Sequence, residues 1–122
     1  MVFNLNKKYS YAIIGASNNS EKYGHKIFLD LLTKGYDVIP INPNEDKILN
    51  KNCYSNISDV AKKIDVVVFV VPPIVTEKVL FQIKKLGVNK VWMQPGSESD
   101  KSIDFCKKNA IDFISNQCIM LS

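Results

Sequence analysis

The stretch YSYAIIGASNNSEKYG, residues 9–24, decides the fold. Tyr11 to Ile14 is an apolar run of strand length. It stops at Gly15-Ala16-Ser17, and a polar loop runs on to Gly24. Beyond the loop, Ile27, Phe28, Leu31 and Leu32 recur at the spacing of one helix face. Strand, glycine turn and helix in that order set backbone N–H groups and a helix N-terminus around an anion. A phosphate compound is the expected ligand, and the rest of the chain must say which one.

The same alternation continues to the end. Residues 36–41 read as a second strand closing on Asn42-Pro43, followed by a polar loop over 44–52 and a very short edge strand at Cys53-Tyr54. Ser58 is placed to cap a short helix through Ile64. The run DVVVFVV, residues 65–71, is continuously apolar and β-branched, so it reads as a strand covered on both faces. Pro72 and Pro73 end it. A helix over 76–86, a strand over 89–93, a helix from Ser97 through 109 and a last strand over 110–115 complete the pattern.

Strands alternating with helices predict an α/β fold: three layers, a parallel sheet of five to six strands, and helices on both faces. The right-handed crossover rule favours strand order 3-2-1-4-5-6. Ligands then bind outside the carboxyl ends of the central strands, where the order reverses. Four groups of turn residues collect there: Gly15 to Gly24, Asn42-Pro43, Pro72-Pro73 and Gln94-Pro95-Gly96.

Composition narrows the function classes. The 122 residues fit one domain, 1–122, and the 46% hydrophobic content is too high for a disordered chain. No apolar run approaches the roughly 20 residues of a membrane helix, and the start MVFNLNKK has no apolar signal core. Cys53, Cys106 and Cys118 are odd in number and show no CxxC spacing, as expected of cytoplasmic thiols. The net charge is +4 and all sixteen basic residues are Lys. A polyphosphate must therefore be held by Lys and by backbone N–H groups, without the bidentate fork of Arg. The lysines lack the aromatic interleaving of single-strand binders, so nucleic acid is not the expected partner.

NAD is the first ligand to test against the pattern. The GxGxxG spacing is absent, and Asn42-Pro43 stands where an acid for the ribose hydroxyl would end the second strand. Glu45 and Asp46 lie beyond the strand end. The long loop leaves room for a bulkier compound, such as one with a pantetheine arm.

Taken together, GAS at 15–17, Tyr23-Gly24, PINP at 40–43, Cys53-Tyr54, IDVVVFVVPP at 64–73, VWMQPG at 91–96 and Cys118 resemble the stand-alone CoA-binding domain proteins. These are similar to the N-terminal domain of the succinyl-CoA synthetase alpha subunit. The resemblance covers about residues 8–120 and implies a Rossmann-like domain binding coenzyme A through its ADP part. It places Gly15, Ala16 and Ser17 at the pyrophosphate, with Ser20, Lys22, Tyr23 and Gly24 in the same loop. It also sets Asn42 and Pro43 beside the adenosine, makes Val71, Pro72 and Pro73 a wall, and lets Gln94 and Gly96 close the site.

No catalytic set emerges. His25 is the sole histidine and sits at the helix start, either near phosphate or as a partly exposed helix residue. Cys118 reads as a small buried residue or as a thiol facing CoA. Three functions stay open: a non-catalytic CoA or acyl-CoA binding protein, an NAD(P)-binding accessory subunit or fragment of an oxidoreductase, and a regulatory or interaction protein with an empty nucleotide site. A protein partner or a homo-oligomer is compatible with each.

Overall fold

Ser10–Ile14 forms β1, and all five of its residues are buried. The computed structural model describes residues 3–122. The glycine loop leads from β1 into α1, Tyr23–Thr33, and then β2, Asp37–Ile41. A hairpin follows, β3 at Lys47–Ile48 and β4 at Lys51–Asn52. The chain continues through β5 (Val66–Phe69), α2 (Pro73–Lys85), β6 (Lys90–Met93), α3 (Asp100–Lys108) and β7 (Asp112–Ile114). The main sheet is parallel, in the order β2-β1-β5-β6-β7. This is the Rossmann-like order expected, with the reversal between β1 and β5.

Strand alternation divides the core in two. Ala12, Ile14, Val67, Phe69, Val91 and Met93 face Leu80 and Ile83 of α2 and Cys106 of α3. Tyr11, Ile13, Val66, Val68 and Trp92 face Ile27, Phe28 and Leu31 of α1, together with Ile119. Both faces of the sheet are therefore covered, which explains why β5 is apolar at every position.

Several local expectations change. The segment 44–52 is not a plain polar loop but carries the β3–β4 hairpin. Leu49 and Asn50 turn it with φ of 48° and 67°, and Ile48 is fully buried beneath it. The edge strand at Cys53-Tyr54 contracts to one parallel bridge, Tyr54 to Ile41. Asn56, not Ser58, caps the next turn, a single 3₁₀ turn at Ile57–Asp59 in place of a helix reaching Ile64. Ser99 rather than Ser97 caps α3: its Oγ accepts from Ser102 N while Ser102 Oγ accepts from Ser99 N. β5 stops at Phe69, two residues short of the apolar run, and α2 starts at Pro73, three residues earlier than the apolar pattern indicates.

Candidate functional site

The loops after β1, β2, β5 and β6 meet at one edge of the sheet. Gly15 holds the first of them in place. Its N–H donates to Ile41 O at 3.0 Å and its φ is +96°. A Cβ there would stand 2.3 Å from Val70 O, so the crossing of the β1 and β5 ends itself demands glycine. Gly24 serves the same packing from the helix side, since a Cβ on it would stand 1.9 Å from Gly15 O. The first turn of α1 thereby lies directly on the glycine turn.

Side chains from β2 and α1 fix the carbonyls of the loop. Asn42 Nδ2 donates to Ala16 O at 2.7 Å, while its Oδ1 accepts from Asn44 N at 2.9 Å. His25 Nδ1 lies 3.0 Å from Ser17 O. A carbonyl only accepts, so Nδ1 carries the proton, and His25 is a strut of the loop. Ser17 Oγ accepts from Asn19 N, and Asn19 Oδ1 from Glu21 N.

With the carbonyls tied down, donors are left over. Among the described residues, the backbone N–H groups of Ser17, Ser20, Tyr23 and Gly24 find no acceptor within the protein. The last two are the opening N–H groups of α1, where the helix dipole favours negative charge. By contrast, α2 opens on Pro72 and Pro73, which carry no N–H, and presents an apolar surface instead. Of these two helix starts, α1 offers the more N–H donors, and they adjoin the glycine loop.

Two clefts flank Val71. The larger, about 540 Å³, is lined by Tyr23, Val71, Pro72, Gln94, Gly96 and Cys118, with Val70, Pro95 and Ser97. The smaller, about 360 Å³, runs under Gly15, Asn42 and Pro43 toward Lys78 and Gln82 of α2. Gln94 forms the floor of the larger cleft. It is buried, its Oε1 accepts from Ile119 N at 2.8 Å, and its Nε2 donates to Cys118 Sγ at 3.3 Å. Another cleft, about 550 Å³, lies along β7 and shares no residue with the glycine loop. It is remote from the strand-order reversal where such folds take ligands.

Of the expected site residues, the structure gathers Gly15, Asn42, Pro43, Val71, Pro72, Gln94, Gly96 and Tyr23 around the two clefts. Ala16 is fully buried and acts through its carbonyl. Ser17, Ser20 and Gly24 contribute N–H groups, and Lys22 precedes α1 as its cap residue. Pro73 lines neither cleft. Three neighbours were not expected at the site. Ser97 Oγ accepts from Val71 N at 3.1 Å, Lys78 lines the smaller cleft, and Glu45 Oε2 accepts from Asn18 N at 2.9 Å. The acid beyond β2 was visible in sequence, but the turn that returns it to the glycine loop was not.

A parallel sheet reversing beside a donor-rich glycine loop defines the Rossmann-like class of domains. Within it, the chain belongs to the CoA binding domain family, which matches residues 9–122. It is 35% identical over 81 residues to the ADP-forming acetate–CoA ligase II of Archaeoglobus fulgidus, covering 65% of this chain and 12% of that protein. To the alpha subunit of the ADP-forming acetate–CoA ligase II of Pyrococcus furiosus it is 30% identical over 119 residues, covering 88% of this chain and 26% of that one. The chain thus spans well under a third of either curated relative. A conserved hypothetical protein from Pyrococcus furiosus superposes with a TM-score of 0.89 at 42% identity, covering 93% of this chain and 97% of that one. Among the described residues no helix is long and apolar enough to cross a membrane.

Proposed function

We propose that the chain is a single coenzyme A or acyl-coenzyme A binding module, residues 1–122, with no catalysis of its own. The observation that carries this reading is the set of four unpaired N–H groups, at Ser17, Ser20, Tyr23 and Gly24, beside a largely apolar cleft. The N–H groups take the pyrophosphate, with Lys22 and Lys26 as the nearest positive charges in the motif. The smaller cleft beside Asn42 and Pro43 receives the adenosine. The pantetheine arm runs past Val71 into the larger cleft, whose apolar wall suits it. Family membership supports coenzyme A over a dinucleotide, as does the absence of an acid at the end of β2. Three unpaired cysteines support a reducing compartment, the cytoplasm.

Calorimetry with CoA, acetyl-CoA, NAD and NADP tests the reading. The CoA species are expected to bind and the dinucleotides to bind far more weakly or not at all. Binding of NAD without binding of any CoA species overturns it.

A further inference from the structure

Asn18 sits between two of the unpaired donors, yet its own N–H is taken. It donates to Glu45 Oε2 at 2.9 Å, and Asn18 Nδ2 donates to Lys47 O at 2.8 Å. The segment following β2 therefore folds back over the glycine loop and lays a carboxylate on it. The neighbouring N–H groups of Ser17 and Ser20 have no protein acceptor. Carboxylate and phosphate compete for the same kind of donor.

We propose that Glu45 is an internal anionic ligand of the glycine loop, so that every phosphorylated ligand binds in competition with the protein's own carboxylate. The proposal rests on the reading of that loop as the phosphate site. Hydrogen bonds from Asn18, with Lys22 as a lesser electrostatic cause, hold the Glu45 carboxyl below the usual range, so it is charged at neutral pH. A phosphate settling on the loop meets this charge at close range. It either displaces Glu45 from Asn18 or forgoes that donor and accepts the repulsion. Both routes lower affinity. They also leave Lys22 divided between its own carboxylate and the ligand. Displacement has a geometric consequence as well, because Glu45 helps hold the segment between β2 and β3 against the loop, leaving the Asn18 contact to Lys47 and the Asn42 contact to Ala16 as the remaining ties.

Charge and shape can be separated. Glu45→Gln keeps an oxygen able to accept from Asn18 N while removing the charge, and Glu45→Ala removes both. CoA and inorganic pyrophosphate are titrated calorimetrically into the wild type and both variants. Loss of one unit charge near a solvent-exposed anion site is expected to change affinity about fivefold. Both variants are therefore expected to bind pyrophosphate and CoA about fivefold more tightly than wild type. Lys22→Ala is expected to cost more affinity in the Glu45→Gln background than in the wild type, because the lysine is then wholly available to the ligand. Equal or weaker binding by Glu45→Gln, with an unchanged melting temperature, overturns the proposal and leaves Glu45 as a strut of the loop. Failure of both compounds to bind any of the three proteins overturns the phosphate reading itself, and this proposal with it.

Discussion

Gly15 and Gly24 show how one residue type answers to two demands at once. A glycine at 15 suits the approach of a pyrophosphate, but the nearest atoms to its missing side chain belong to Val70 and Val71. The requirement at 24 is stricter, with backbone 1.9 Å from a Cβ position. A rigid helix turn and a tied-down loop can yield only a few tenths of an ångström, so Gly24→Ala is expected to destabilise the fold by about 2 kcal/mol. Denaturant unfolding followed by circular dichroism measures it, and an unchanged midpoint would contradict the close packing. Lys22 is different, since it is exposed and caps α1 without a side-chain hydrogen bond. Its loss leaves the fold intact. Lys22→Ala is expected to weaken CoA about tenfold, the worth of one charge-assisted contact. Dephospho-CoA loses less if Lys22 serves the 3′-phosphate. Calorimetry of both compounds decides between those roles.

At the scale of elements, the predictable parts are those governed by periodicity. The runs at 11–14 and 65–71 hold β1 and β5 because a strand covered on both faces needs apolar residues throughout, although β5 itself stops at Phe69. Short elements governed by hydrogen bonds were harder to read. Ser97 and Ser99 both fit a helix cap, and only the reciprocal bonds with Ser102 choose between them, while Ser97 is drawn off to Val71 N. Ser99→Ala is expected to destabilise by about 1 kcal/mol, and Ser97→Ala to disturb the site instead. The thermal midpoints of the two variants, compared with their CoA affinities, test that division. The hairpin gave no sequence signal, because a leucine occupies a left-handed position that glycine or asparagine ordinarily fills. Leu49 is also partly exposed, so Leu49→Gly relieves backbone strain while giving up little burial. A stabilisation of about 0.5 kcal/mol is expected, read as a higher melting temperature. The turn residues at four strand ends, which mark the candidate site, were legible in the sequence. Glu45 was not, since its position depends on the β3–β4 hairpin and on long-range contacts to Asn18.

Across the whole molecule, the two-sided core places Tyr11 where few tyrosines can ionise. Tyr11 is fully buried on the α1 face, with its ring edge-on to Tyr36 at 5.4 Å. Its hydroxyl donates to Asn6 O at 3.0 Å and accepts from Asn6 N at 2.9 Å, which ties the segment before β1 to the sheet. Burial pushes the hydroxyl from 10.0 up to about 12, outweighing the opposing effect of the Asn6 hydrogen bond. The unfolded chain therefore gives up this proton first as pH rises. The folded state keeps its full advantage below pH 10 and loses it between about 10 and 12. Stability measured by denaturant titration is expected to fall across that window. Tyr11→Phe cannot ionise, so its stability is expected to fall less steeply there. At neutral pH it should be about 1 kcal/mol less stable than wild type, because Asn6 N loses its acceptor. Parallel curves for wild type and Tyr11→Phe between pH 9 and 12 would assign the alkaline loss to other groups.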